Sequence, residues 1–354
     1  MAGAGRRRMT RWADLRASRA FGELMHTAER LGRNPLQVQG PGGNVSIKAD
    51  GAMWVKASGT WLAEAREKDI MVPVDAAALT AALDQDRPDH SFVPSGVAAT
   101  DLRPSIETSF HAALPWPVVL HTHCVATIAT AIRTDAAQIV RDRLADFGAV
   151  FVPYVQPGRD LTRAILSAIT PETRVIILGN HGLICCGETP DAAESLLGQV
   201  SAALEPNQVS ADDPTIDLGP YLRMTGWVAG PPQAQALGSK QTLLDMAQGG
   251  TLYPDHLVFL GPGVAVTSPD LSSREAFAKT DDLDPPRRLA LLPGLGAAVP
   301  AGSSSAVLAM ARCLGDVLAR VPPGTELNRL TSQEEAALLN WDAEAYRKSL
   351  ANPG

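Results

Sequence analysis

The stretch Val118-Val119-Leu120-His121-Thr122-His123 couples an apolar, β-branched run to two imidazoles. Such a run reads as a buried strand, on which residues two apart share a face, so His121 and His123 point together. Two neutral imidazoles converging at a strand end can supply half of a tetrahedral metal site, and a third ligand from elsewhere would leave one coordination position open for catalysis. The same pair also fits the plainer description of packed or surface histidines. His181, in Gly179-Asn180-His181-Gly182, falls in a tight glycine-flanked turn directly after the apolar run at 174–178, a place that suits a ligand better than a core residue. Glu107 opens a helical pattern, where a carboxylate is favoured by the helix dipole, and position alone gives it that structural role. His111 is read as structural in the same way.

A second set of residues has the chemistry to hold an anion. Gln39-Gly40-Pro41-Gly42-Gly43-Asn44-Val45-Ser46-Ile47 is a glycine-rich turn entering a β-rich segment, and Met53-Trp54-Val55-Lys56-Ala57-Ser58-Gly59-Thr60 ends a second strand in a lysine, a hydroxyl and a glycine. Glycines there let backbone N–H groups approach an anion. Neither turn fits a nucleotide fingerprint, since no Gly-Lys-Ser/Thr follows and Gly-x-Gly-x-x-Gly is absent. Lys56 either points inward as a positive charge or outward as a solvated strand residue.

The elements that must position these groups can be read in order. A helix is expected over 12–32, ending at Gly32-Arg33-Asn34-Pro35. The two β segments form a hairpin across Asp50-Gly51. Asp75 caps a helix through Leu83. From Ser105 a helix carries Ile106, Phe110 and Leu114 on one face, with Glu107 in its first turn, and Pro115-Trp116-Pro117 ends it before the histidine strand. Helices follow near 124–133 and 160–169, and strands at 150–154 and 174–178. Thr189-Pro190 then opens a helix to about 204, with Thr as cap and Pro at the first position.

Composition shifts at 205–219 to a polar, turn-rich linker. Beyond it, 220–354 reads as a mixed α/β extension, with helices near 232–247, 303–320 and 332–349 and short strands near 257–260 and 289–292. Pro293-Gly294-Leu295-Gly296-Ala297 lacks the third glycine of a dinucleotide site, and too few residues follow for the second half of such a domain. Residues 1–11 read as a flexible tail.

Composition narrows the function classes. The chain of 354 residues has 45% hydrophobic and 19% charged residues, an ordinary globular balance with room for about two domains. A net charge of −7 argues against a nucleic-acid partner. No signal peptide or membrane span is expected, and Cys124, Cys185, Cys186 and Cys313 lack Cys-x-x-Cys spacing. A reducing, cytoplasmic setting follows, with Cys185 and Cys186 packed in a strand.

Taken in order, Gly-Gly-Asn-Val-Ser, Val-Lys-Ala-Ser-Gly, Pro-Ser-Ile-Glu, His-Thr-His and Asn-His-Gly make the chain resemble the class II aldolase/adducin family over about residues 12–204. Its members include fuculose-phosphate and rhamnulose-phosphate aldolases and ribulose-phosphate 4-epimerase. Pro-Ser-Ile-Glu, Tyr253-Pro254-Asp255-His256, Pro293-Gly294-Leu295-Gly296 and Leu339-Asn340-Trp341 also look like the aldolase portion of bifunctional rhamnulose-phosphate aldolase/dehydrogenases. The resemblance implies an α/β, three-layer αβα fold with a central, mostly antiparallel sheet, assembled as a homotetramer with active sites at subunit contacts. It places Zn2+, or another divalent ion, on His121, His123 and His181 and gives Glu107 the proton-transfer role. Anion binding falls to Gly43, Asn44, Ser58, Gly59 and Ser105, with Lys56 as an added candidate, while Ile106 replaces the second serine of the family pattern.

The implied chemistry is a zinc-dependent aldolase acting on a short-chain sugar phosphate, hydroxy-ketone or hydroxy-acid through a metal-stabilised enediolate, with Glu107 moving a proton beside the carbonyl. The alternatives are an epimerase or decarboxylase on the same scaffold, or a non-catalytic module like the adducin head. The extension has three candidate roles: covering the site, lending Tyr253 to a neighbouring subunit's pocket, or widening an oligomer interface.

Overall fold

The computed structural model describes residues 10–85, 87–97, 101–206, 216–223, 225–267 and 285–340. Its principal sheet has seven strands: β1 (Asn44–Ala49), β2 (Ala52–Lys56), β3 (Met71–Asp75), β4 (Val118–Thr122), β5 (Val150–Val152), β6 (Val175–Leu178) and β7 (Gly182–Gly187). They lie in the order β3-β2-β1-β4-β7-β6-β5, and every pairing is antiparallel except β5 with β6. The expected hairpin joins β1 to β2. Asp50 and Gly51 both have positive φ, 49° and 76°, as a primed two-residue turn requires.

The two-residue period of the strands produces three layers. Val118 and Leu120 of β4, Val175 and Ile177 of β6, and Leu183 and Cys185 of β7 pack on one face with the helices Arg19–Arg33 and Pro190–Leu204. The intervening Val119, Ile176, Leu178, Ile184 and Cys186 face Phe110 and Leu161, on the helices Thr108–Ala113 and Arg159–Ala168. This is the α/β sandwich of a mostly antiparallel sheet between helices. His121 has the parity of Val119, so it points toward the Thr108–Ala113 layer and meets Phe110 edge-on at a centroid distance of 5.7 Å.

A second sheet, in the order β8-β11-β10-β9, comprises β8 (Trp227–Ala229), β9 (Ala265–Val266), β10 (Ala290–Leu292) and β11 (Gly296–Pro300). It shares a core with the helices Pro232–Ser239, Gln241–Ala247, Pro254–Leu260 and Ser305–Leu318. That core runs on into Val125, Ile128, Ala129 and Ile132. These four residues belong to the segment that follows His123 directly, so burial of one apolar surface brings the extension up to the histidine strand.

Several elements depart from the sequence reading. The opening helix is broken: residues 10–16 are helical, then Ser18 caps Arg19–Arg33 by accepting from the Phe21 amide at 3.2 Å. Arg11, within the stretch read as a tail, reaches Asp75 at 3.1 Å; residues 1–9 of that stretch lie outside the described residues. Asp75 caps its helix as expected, but the helix ends at Ala81. Residues 257–260 are helical rather than a strand, because Pro254 at the first helical turn starts a helix, and a short apolar run does not distinguish the two conformations. The helix expected over 232–247 is interrupted at Lys240, which is extended at φ −102°, ψ 119°. Ser332–Leu339 carries a capping box from Thr331 and Glu334. Most of the expected linker, 207–215, and the helix expected beyond 340 lie outside the described residues.

Candidate metal centre

His121 stands near the end of β4, between two strands that fix its backbone: it is opposite Asn44 of β1 and Ile184 of β7. Its Nδ1 lies 3.1 Å from the Leu183 carbonyl. That acceptor puts the proton on Nδ1 and leaves Nε2 as a lone-pair donor toward the site. His123 follows the strand. His181 sits in the turn from β6 to β7, beside Asn180, which takes the left-handed conformation at φ 52°. The turn needs glycine at 182 for space, since a Cβ there would lie 2.4 Å from the Thr122 carbonyl oxygen and 3.2 Å from His121 Cε1.

The three rings converge, with centroids 5.0 Å (His121–His123), 4.9 Å (His121–His181) and 5.2 Å (His123–His181) apart. One ligand atom from each lies within 4.8 Å of the others. Nε2 of His121 and of His123 and Oε1 of Glu107 are buried without a hydrogen-bond partner among the described residues. Buried polar atoms are normally satisfied, and a divalent cation is the partner that several inward lone pairs share. Burial lowers the His121 imidazole to about 4 despite the opposing Glu107 charge, so it is neutral at pH 7, as a ligand must be. The residues present therefore fit a divalent cation, which His121, His123 and His181 would hold.

Glu107 is 3% exposed. Oε2 lies 3.4 Å from His121 Nε2 and Oε1 lies 3.4 Å from His181 Nε2. The first-turn position expected for this residue is corrected: the helix begins at Thr108, and Glu107 occupies its N-cap position at φ −106°, ψ 12°. Its side chain makes no capping bond to the helix and points into the site. Burial pushes its carboxyl up, but the three imidazoles and the Asn44 amide outweigh that and hold it at about 2.

A directional chain supports this carboxylate. An ionised carboxylate only accepts, so Asn44 must present Nδ2 to it, at 2.8 Å. Asn44 Oδ1 then accepts from His111 Nε2, and His111 Nδ1 accepts from the Ser46 hydroxyl at 2.7 Å. This requires a neutral His111, and burial lowers that ring well below its ordinary value. His111 is thus structural, as read from the sequence, yet it is two hydrogen bonds from Glu107.

Gly43, Asn44, Lys56, Ser58, Gly59, Ser105, Glu107, His123 and His181 all line one cavity; His121, also a candidate, lies fully buried behind them. Lys56 is 2% exposed and donates from Nζ to the Pro41 carbonyl at 3.0 Å, so it points inward. Ser105 Oγ accepts from Asn44 Nδ2 at 3.0 Å and from the Glu107 amide at 3.2 Å. Ser58 Oγ is buried without a partner among the described residues. Ile106 contributes an apolar patch to the wall.

Two wall residues, Pro254 and Asp255, come from the extension, and the sequence reading assigned neither to the site. Asp255 Oδ2 is 2.8 Å from His123 Nδ1. The only sequence signal was Tyr253-Pro254-Asp255-His256, in which a contribution from the tyrosine was one of three candidate roles of the extension. Tyr253 is in fact buried and donates to Cys313 Sγ at 3.6 Å, so it is not offered to a neighbouring subunit's pocket.

A family model described as the Class II Aldolase and Adducin N-terminal domain matches residues 22–205. The chain is 31% identical over 185 residues to a Bacillus subtilis (strain 168) protein named "Uncharacterized oxidoreductase YuxG", covering 48% of this chain but only 27% of that protein. Among solved structures it is similar to the N-terminal class II aldolase domain of a conserved protein from Thermoplasma acidophilum (24% identity, 53% of this chain and 92% of that chain, TM-score 0.47). Another is l-fuculose-1-phosphate aldolase from Thermus thermophilus (16% identity, 53% and 92% coverage, TM-score 0.37). With the family model spanning the strands, turns and helices that carry the three histidines and Glu107, the chain belongs to the class II aldolase and adducin family.

Proposed function

We propose that the protein is a zinc-dependent lyase that cleaves or forms a carbon–carbon bond in a short-chain hydroxy-ketone, with sugar phosphates as its substrate class. The observation that carries this reading is the position of Glu107, a buried carboxylate whose two oxygens each stand 3.4 Å from a candidate ligand nitrogen. A cation held by His121, His123 and His181 supplies Lewis acidity toward a carbonyl and an adjacent hydroxyl. Glu107, ionised at neutral pH, takes or returns a proton at the carbon beside that carbonyl. Asn44 holds the carboxylate in place throughout, and its own orientation is set by His111 and Ser46. Lys56, Ser58, Gly59, Ser105 and the Gly43-Asn44 turn receive the anionic end of the substrate. The apolar side of the pocket, at Ile106, excludes water from the reacting carbons. An assembly module would need neither the three inward lone pairs nor the buried carboxylate.

The test combines metal analysis with a substrate screen. Purified protein should carry about one tightly bound divalent ion per chain, and the zinc-loaded form should cleave a phosphorylated hydroxy-ketone. Glu107→Gln preserves the acceptor for Asn44 and should retain the metal while turnover falls by about 10²–10⁴-fold. A wild-type protein that binds no divalent ion, or a Glu107→Gln variant with full turnover, would refute the assignment.

A further inference from the structure

The extension, outside the family-matched residues 22–205, meets His123 directly and bonds Asn180, the neighbour of His181. His121 is oriented from within the sheet by Leu183. His123 lies beyond the last paired residue of β4, Thr122, so no ladder partner constrains it. Its ring meets Asp255 instead, Nδ1 to Oδ2 at 2.8 Å, with Asp255 only 3% exposed. The approach is tight: a Cβ at Gly42 would come 2.9 Å from His123 Nδ1 and 3.0 Å from Asp255 Oδ2, so the third wall of the contact has no side chain. Next to His181, the Asn180 side chain donates to the Leu252 carbonyl at 2.9 Å and to the Asn328 carbonyl at 3.0 Å. Leu252 and Asp255 flank the start of the helix Pro254–Leu260, so one short segment reaches both ligand positions.

We infer that Asp255 is a positioning residue for the metal. It accepts the Nδ1–H of His123, fixes the ring in the tautomer whose Nε2 carries the lone pair, and makes that nitrogen a stronger donor. The extension is then a working part of the centre within one chain, not only a cover. This rests on the metal reading of the three histidines.

The test uses the full chain, stripped with chelator and titrated with Zn2+ in competition with a chromogenic chelator. Asp255→Ala should weaken Zn2+ binding about 10- to 100-fold, and Asp255→Asn, which keeps an acceptor, should recover part of the loss. Leu257→Ala, in the same helix and fully buried, should lower the melting temperature and leave Zn2+ affinity unchanged. In metal-free wild-type protein labelled with 15N-histidine, the His123 resonances, assigned by loss in His123→Gln, should show the Nδ1–H tautomer.

A folded Asp255→Ala variant that binds Zn2+ as tightly as wild type overturns the inference and leaves the proposed function standing. Equal weakening by Leu257→Ala overturns it too, since the effect would then be one of packing. An Nε2–H tautomer at His123 does so whether or not any variant folds. Absence of Zn2+ binding by wild type overturns both readings.

Discussion

Acidification of the metal-free protein should expose the cost of its buried neutral histidines. His121 and His256 are each lowered from 6.5 to about 4, in both cases mainly because burial opposes the charged ring. His256 lies on the helix that carries Asp255, its Nε2 3.2 Å from the Gly263 carbonyl and its Nδ1 accepting from the Leu252 amide at 3.4 Å, so the neutral ring uses both nitrogens. Protonation would turn Nδ1 into a donor facing another donor.

The folded pKa lies below the unfolded one, so the unfolded chain binds more protons and stability falls as pH drops through 6.5 and levels off below about 4. Between pH 7 and pH 5 each ring contributes a loss of about 2 kcal/mol, about 4 kcal/mol for the pair, a large share of the ~5–15 kcal/mol typical of a folded chain. His111, lowered well below its ordinary value by burial, acts in the same direction. Glu107 does not contribute in this window, since its stabilisation is lost only as pH falls from 4.5 toward 2.

The assay is urea unfolding at pH 7, 6 and 5 with chelator present, repeated for His256→Gln. The slope with pH should be steep for wild type and shallower by one histidine's share for the variant. An unfolding free energy that stays flat from pH 7 to pH 5 would refute the reasoning, because it would mean that these rings either protonate freely in the folded state or are not buried.

Two further outcomes follow from contacts at the site. Gly182→Ala places a Cβ 2.4 Å from the Thr122 carbonyl oxygen, so β4 and β7 must part. The expected result is a stability loss of about 1–3 kcal/mol together with weaker Zn2+ binding, and unchanged melting and affinity would show that the turn yields easily. Lys56→Met keeps the buried stem but removes the charge. It should raise KM for a phosphorylated substrate by about 10- to 100-fold with little change in kcat; an unaltered KM would refute a role for Lys56 in holding the anionic end.

Much of the framework was legible because its signals are local. Two-residue alternation put His121 and His123 on one face, and their rings stand 5.0 Å apart; Asp50-Gly51 marked a turn that demands positive φ at both residues, and Thr189-Pro190 started a helix in the expected way. The apolar run 257–260 was misread because four buried residues do not distinguish a strand from a helix, and the proline at 254 was the better guide. The helix expected from Ser105 starts at Thr108, so Glu107 stands at its N-cap, with its carboxylate beside the histidines and not bonded to the helix.

The sequence by itself determined which side chains could do chemistry and on which strand faces and turns they would stand. Tertiary structure decided what each one meets. Lys56 points inward because the Pro41 carbonyl lies within reach, Asn44 is aligned by a histidine 67 residues away, and His123 takes its proton acceptor from Asp255, beyond the linker. Periodicity and turn chemistry act over a few residues and can be read directly. The partner of a polar side chain depends on which apolar surfaces bury against each other, and here the packing of the extension on Val125, Ile128, Ala129 and Ile132 carries Asp255 to the histidines.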